Sequence, residues 1–106
     1  MNDLVSVIIP SYNRFEYLLQ AVESVLNQTY DNIEIIIVND ESEDQRYKTH
    51  TFPKNCKVIH VNREKIEGGP GSIRNYGTKE ATGKYIAFLD DDDIWLTNKL
   101  EIQIQE

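Results

Sequence analysis

Four consecutive aspartates occupy positions 90–93, directly after an apolar run. Adjacent carboxylates repel one another, and a surface that needed only solubility would mix its charges. Hard divalent cations prefer oxygen ligands and usually take one or two carboxylates together with phosphate oxygens. Asp90 and Asp92, with one residue between them, fit such a site, and a bound metal would relieve the repulsion. The alternative interpretation is a helix N-cap, but a single aspartate would satisfy that role.

Three further residues could bind a ligand, and each also has a purely structural explanation. Tyr12 could stack its ring on a nucleotide base or pack on the following helix. Asp40 could accept a hydrogen bond from the ring N–H of a base, or it could cap the next helix. Arg74 follows the glycines of "EGGPGSIR" and could donate two hydrogen bonds to a phosphate, or it could form a surface salt bridge. The residue types alone leave these alternatives open.

The elements that must position these residues are visible as apolar patterns. Runs rich in β-branched residues predict strands at residues 4–9, 33–39, 57–61 and 84–89, the first of them ended by Pro10. An apolar stripe predicts a helix over residues 13–28, with Asn13 as N-cap and Glu16 close to a capping box. We also expect a short polar helix at residues 40–49, a glycine-rich loop at 62–71, and a helix at 72–83 ended by Gly83. A last helix begins near residue 94.

Strands that alternate with helices predict an α/β fold with a Rossmann-like, mostly parallel sheet and helices on both faces. In such sheets ligands bind beyond the carboxyl ends of the strands. The segments "PSYNR", "NDES" and "DDDD" each follow a predicted strand. Because parallel strands end at the same edge, we expect these three segments to converge on one site.

Composition limits the possible partners. The chain has 106 residues, enough for a single domain, and its 18 acidic against 11 basic residues give a net charge of −7. This acidic balance argues against binding to nucleic acid or anionic lipid. The single cysteine, Cys56, excludes an intrachain disulfide framework and is expected at a strand edge. We expect residues 1–106 to be one segment of a longer protein, because the last helix shows no C-terminal cap.

Several quoted stretches resemble one known family. "VSVIIPSYNR", "QTYDNIEIIIVND", "GSIRNYG" and "GKYIAFLDDDD" occur in the order and spacing of the N-terminal half of family 2 glycosyltransferases, which have the GT-A fold. The resemblance covers residues 5–100. The sequence departs from the family's pattern at several positions: Asn39 stands where the family often has Asp, Ile73 replaces a small residue, and Asp91 and Asp93 extend the acidic motif to four residues.

The resemblance implies a role for each matching position. Residues Pro10, Ser11 and Tyr12 resemble a uridine-binding turn, and Asp40 matches an aspartate that recognises uracil. Arg74 matches an arginine beside the nucleotide. The aspartates resemble a D-x-D motif that handles the ribose and the diphosphate-bound metal, with Asp90 and Asp92 as its outer residues, Asp91 between them, and Asp92 the expected direct metal ligand.

The resemblance also implies a reaction. A sugar would pass from a nucleotide-diphosphate donor, expected to be a UDP-sugar, to a hydroxyl of a saccharide or glycoconjugate, with inversion and with Mn²⁺ or Mg²⁺. The general base would lie beyond residue 106, so we expect the segment alone to be inactive and prone to self-association. We expect a cytoplasmic protein, at the inner face of a membrane if it is membrane-associated, with no nucleic-acid partner.

Three alternatives are weighed against this interpretation. A nucleotidyltransferase would carry a glycine- and lysine-rich loop after the first strand, and "PSYNRFEY" has neither residue. A phospho-acceptor signalling domain would need an acidic pair in that turn, where the first acid is Glu16. A non-catalytic nucleotide-binding or assembly module of the same fold stays open.

Overall fold

The computed structural model describes residues 3–61 and 70–105, in which strands and helices alternate. The order is β1 (Val5–Ser11), α1 (Phe15–Leu26), β2 (Ile33–Asp40), α2 (Arg46–Thr49), β3 (Cys56–Val61), α3 (Pro70–Lys79), β4 (Tyr85–Phe88) and α4 (Lys99–Gln105). The predicted alternation is therefore confirmed. Most of the predicted glycine-rich loop, including Gly68 and Gly69, lies outside the described residues.

The strands form a parallel sheet in the order β3-β2-β1-β4. The chain steps from β1 to β2 to β3 in one direction and then returns to place β4 on the other side of β1. This reversal creates a switch point beside the carboxyl end of β1, where open α/β sheets bind ligands. The Rossmann-like parallel sheet predicted from the sequence is confirmed.

Successive β1 residues face opposite sides of the sheet, and each side is covered by a helix. Val7 and Ile9 belong to a buried cluster with the apolar stripe of α1, which includes Leu18 and Val25. Ile8 faces the other side, in a second cluster with α3 residue Ile73. Helices on both faces of a β-branched sheet were expected from the uninterrupted apolar runs.

Two predictions at the end of β1 are wrong. Pro10 does not end the strand, which continues to Ser11 and pairs with β2 as far as Asn39. Pro10 lacks an N–H, but a donor at this position would point toward β4. The pairing of β1 with β4 has already stopped at Ile8, so no ladder hydrogen bond is lost. Asn13 is not the N-cap either: Arg14 holds that position without a side-chain capping bond.

Glycines let α3 and the turn before β4 approach the sheet closely. A Cβ on Gly77 would lie 2.7 Å from Cγ2 of Ile8 and 2.8 Å from Cγ2 of Val38. Gly83 is not the helix end that was predicted, since α3 ends at Lys79. Instead it packs against β1, where its N–H donates to Ser6 Oγ at 2.8 Å. This close packing of α3 on the sheet brings the first turn of the helix to the carboxyl edge of the strands.

The other end of the sheet is held by a partly buried carboxylate on β2. Glu34 accepts hydrogen bonds from Ser6 Oγ, from Thr82 N at 2.7 Å and from Thr82 Oγ1 at 3.0 Å. Desolvation acts to raise the pKa of Glu34, but these hydrogen bonds outweigh it and the pKa is lowered. Glu34 thus joins β2, β1 and the segment that leads into β4.

The two edge strands differ in how well they are covered. Cys56 begins β3, the edge position expected for it, and burial raises the pKa of its thiol to about 12. At the opposite edge, β4 exposes Tyr85, Ile86 and Phe88 by 41–46 %. In the described part of the chain, no helix combines the length and apolar character needed to cross a membrane.

Candidate functional site

A cavity of about 300 Å³ opens at the switch point of the sheet. Within residues 3–61 and 70–105, it is lined by Pro10, Ser11, Tyr12, Arg14, Asp40, Ile73, Arg74 and Asp91. The structure therefore brings together Pro10, Ser11, Tyr12, Asp40, Arg74 and Asp91 of the predicted site. Asp90 lines the neighbouring cavity instead.

The aromatic and acidic residues differ sharply in exposure. Tyr12 follows β1 directly and its side chain is 55 % exposed, so its ring is available to a ligand rather than packed on α1. Asp40, the last residue of β2, is buried to 9 % exposure but still reaches the cavity wall. This arrangement presents one flat apolar face and one hydrogen-bond acceptor to the same space.

A directed chain of hydrogen bonds connects Arg14, Tyr47, Ser11 and Asp91. Ser11 Oγ donates to Asp91 Oδ2 at 2.9 Å, so the hydroxyl of Tyr47, which also contacts Ser11 Oγ, must act as the donor to it. The Tyr47 oxygen in turn accepts the Arg14 N–H at 3.1 Å. This hydroxyl chain links the β1–α1 turn, α2 and the aspartate segment.

A second connection ties the β1–α1 turn to the loop after β2. The Asn13 N–H donates to Ser42 Oγ at 2.8 Å, and the Glu43 N–H donates back to Asn13 Oδ1 at 2.8 Å. Asn13 reaches this position with φ of 50°, a left-handed conformation that asparagine tolerates. These two bonds hold the turn that carries Tyr12 beside the loop that follows Asp40.

Asp91 is the inner member of the aspartate cluster, which comprises residues 90–93. Its side chain is 12 % exposed and also accepts a hydrogen bond from the Tyr12 N–H. Burial raises the pKa of the Asp91 carboxyl, against the opposing effects of the Ser11 and Tyr12 hydrogen bonds and the nearby Arg14 charge. Asp91 therefore positions the turn that carries Tyr12.

The outer aspartates face solvent and could hold a cation. One carboxylate oxygen from each of Asp90, Asp92 and Asp93 lies within 4.8 Å of the other two. A set of exposed carboxylate oxygens fits a hard divalent cation that keeps part of its water shell. Two arginines offset part of the charge of the cluster: Arg74 Nη2 lies 3.0 Å from Asp90 Oδ1, and Arg14 Nη1 lies 2.9 Å from Asp92 Oδ2.

Sequence reasoning missed three residues of this site. Asp93 joins the carboxylate group, Arg14 lines the cavity, and Tyr47 supports Ser11 from α2. Arg14 could have been noticed, because it is a cation directly after the "PSYN" turn. Nothing local to Tyr47 indicates its role, since its contact with Ser11 spans 36 positions of sequence.

A second, more apolar cavity of about 600 Å³ lies on the β4 side of the aspartate cluster. Phe88, Ile94, Leu96 and Ile102 line it and are 46–79 % exposed. Trp95, also in its wall, is buried to 8 % exposure, with Lys99 Nζ 4.5 Å from its ring centroid. The apolar surface therefore begins directly beside the carboxylates.

Two solved structures share the fold of this chain. TarS of S. aureus, solved with UDP-GlcNAc, superposes with a TM-score of 0.76 at 31 % identity, over 99 % of this chain and 30 % of that one. The mannosyltransferase PcManGT of Pyrobaculum calidifontis, solved with GDP-Man and Mn²⁺, gives 0.70 at 21 % identity, over 90 % of this chain and 29 % of that one. The second likeness supports the GT-A fold alone.

Curated relatives are more similar in sequence. An uncharacterized glycosyltransferase of Rickettsia bellii is 50 % identical over 95 % of this chain, which spans 14 % of that relative. The UDP-Glc:alpha-D-GlcNAc-diphosphoundecaprenol beta-1,3-glucosyltransferase WfgD of Escherichia coli is 44 % identical over 95 % of this chain, which spans 40 % of WfgD. The profile of "Glycosyl transferase family 2" matches residues 6–106, and the chain therefore belongs to that family.

Proposed function

We propose that this chain forms the donor site of a glycosyltransferase that moves a sugar from a UDP-sugar to a hydroxyl of a saccharide or glycoconjugate. The observation that carries the proposal is the convergence of Tyr12, Asp40 and Arg74 on one cavity at the switch point. TarS was solved with UDP-GlcNAc, and WfgD is named for a UDP-Glc donor, which favours uridine over other bases.

Each part of the cavity has a task in donor binding. The exposed ring of Tyr12 stacks on uracil, and the Asp40 carboxylate accepts the hydrogen bond of its ring N–H. Arg74 donates to the diphosphate as a charge-assisted donor. Pro10 and Ser11 form the floor of the pocket, and Asp91 holds Ser11 and the Tyr12 backbone in place.

The outer aspartates are proposed to hold a divalent metal, Mg²⁺ or Mn²⁺. Asp92 and Asp90 would supply the ligands, and Asp93 is close enough to contribute. When bound, the metal offsets negative charge that develops on the leaving diphosphate. Inversion requires a general base that deprotonates the acceptor hydroxyl, and we place that base outside residues 1–106.

Two exposed tyrosines provide a matched test of donor binding. Tyr12 and Tyr17 are 55 % and 57 % exposed, but only Tyr12 lines the cavity. Loss of base stacking in Tyr12→Ala should weaken UDP binding by the full-length protein by about 5- to 150-fold, as measured by calorimetry with Mn²⁺. Tyr17→Ala should bind UDP like the wild type.

Equal effects of the two substitutions would contradict the stacking role of Tyr12. Thermal shifts with UDP, GDP and dTDP, with and without Mn²⁺, would identify the base, because a bound ligand stabilises the folded state by mass action. If none of the three nucleotides raises the melting temperature, the assembly-module alternative is favoured. Sugar transfer and metal dependence that are unchanged in Asp92→Ala would exclude the proposed metal site.

A further inference from the structure

Two arginines from different parts of the fold pair with the aspartate cluster. Arg74 reaches Asp90 from α3, and Arg14 reaches Asp92 from the β1–α1 turn, with its Nη1 also 3.9 Å from Asp91 Oδ1. Asp92 is the carboxylate to which the proposed function assigns the metal. A divalent cation bound at Asp92 would lie beside the Arg14 guanidinium, and the two positive charges would compete for the same carboxylate.

The Arg14 side chain is able to leave, whereas its backbone is fixed. The side chains of Arg14 and Asp92 are 53 % and 49 % exposed. Ion pairs of this exposure shift an equilibrium by only about 1.4- to 5-fold. The Arg14 N–H, in contrast, is held by the Tyr47 hydroxyl at 3.1 Å. The guanidinium can thus leave Asp92 at little cost in free energy while the Arg14 backbone stays in place.

The Arg14 side chain can turn into the cavity itself, because both Arg14 and Arg74 line that cavity. A diphosphate entering here meets Asp40 and the aspartate cluster in a chain of net charge −7, so it needs more than one local cation. A second guanidinium in the same cavity would add its charge-assisted hydrogen bonds to those of Arg74.

We propose that Arg14 is a further donor-binding residue that pairs with Asp92 in the free protein and donates to a diphosphate oxygen once a divalent cation has taken Asp92. This inference rests on the proposed function and deepens it. It makes metal and donor binding cooperative, because the cation that occupies Asp92 also releases the arginine that the donor requires.

The test compares Arg14→Gln with Arg46→Gln in the full-length protein. Arg46 has a similarly exposed side chain, at 50 %, and pairs with Asp44 and Glu16 outside the cavity, so its substitution controls for the change in net charge. Free Mn²⁺, followed by electron paramagnetic resonance without nucleotide, measures the competition for Asp92. Calorimetry with UDP at saturating Mn²⁺ measures the donor contact.

In Arg14→Gln we expect Mn²⁺ alone to bind about 2- to 5-fold more tightly, because its competitor is gone. UDP at saturating Mn²⁺ should bind about tenfold more weakly, because a charge-assisted hydrogen bond is lost. Arg14→Lys should restore Mn²⁺ affinity toward the wild-type value. Arg46→Gln should change neither affinity by more than about 1.5-fold, as expected for a distant exposed charge.

The outcomes separate this inference from the proposed function. Wild-type protein that binds UDP with Mn²⁺, together with unchanged Mn²⁺ and UDP affinities in Arg14→Gln, would overturn the role of Arg14 alone. Wild-type protein that binds no UDP would overturn the proposed function and the donor contact with it. Weaker Mn²⁺ binding in Arg14→Gln would show that Arg14 assists the metal and would refute the exchange.

Discussion

Replacement of Gly77 by alanine tests how the seat of α3 positions the donor site. The added methyl carbon would lie 2.7 Å from Ile8 Cγ2 and 2.8 Å from Val38 Cγ2. Carbon atoms in contact prefer separations of roughly 3.5–4.0 Å, so the overlap with both methyls is severe. Ile8 and Val38 are fully buried and β-branched, which leaves them few rotamers in which to yield.

Two opposing effects set the magnitude. Alanine is favoured over glycine within a helix by about 1 kcal/mol. Overpacking in a buried contact costs about 1–3 kcal/mol, and two rigid neighbours place this site near the upper end of that range. The free energy of unfolding should therefore fall by about 1–2 kcal/mol. The helix should also move outward, displacing Arg74 and weakening UDP binding.

Urea unfolding of Gly77→Ala measures the loss, and Asn75→Ala provides the control. Asn75 lies in the same helix with its side chain exposed, so its substitution should stabilise the chain by a few tenths of a kcal/mol through helix propensity. Val38→Ala removes one clashing methyl, so the double variant should lose less stability than the two single losses combined. If Gly77→Ala were more stable than the wild type, α3 could not pack as closely on Ile8 and Val38 as the structure shows.

Two further predictions concern stability and association. The pKa of Glu34 is lowered from 4.5 by folding, so the ionised carboxylate stabilises the folded state above that pH. This stabilisation is lost as the pH falls through the folded-state pKa. In urea unfolding, the stability difference between the wild type and Glu34→Gln should therefore shrink below pH 4.5. A constant difference would contradict this. The chain should self-associate in sedimentation through the exposed β4 edge, and Ile86→Lys should reduce this association. Leu26→Lys, at a similarly exposed position on α1 (43 % against 42 %), should not; equal effects would place the contact elsewhere.

The sheet and its helices could be predicted because their signals are local. β-Branched runs and the stripe of α1 indicate elements without reference to the rest of the chain, and the convergence of Tyr12, Asp40 and Asp91 follows from the parallel order. The end of β1 could not be read in this way. Pro10 is accommodated because β4 pairing stops at Ile8, which depends on a strand far along the sequence.

The contacts within the site were hidden for the same reason. Asn13 resembles an N-cap locally, but its side chain accepts the N–H of Glu43, 30 positions away. The pairing of Arg14 with Asp92 spans 78 positions. Residue types identified which side chains could bind a nucleotide, whereas the internal partners of those side chains depend on the folded path of the chain.

The hydroxyl chain through Tyr47, Ser11 and Asp91 has a consequence for local opening. Because each hydroxyl gives its one proton to the next acceptor, no member can turn away without orphaning its neighbour. The backbone amides of Tyr12 and Arg14, both held by this chain, should therefore exchange with deuterium at a shared rate, as parts of one cooperative unit. The turn after β1 and the aspartate segment would then open together rather than one after the other.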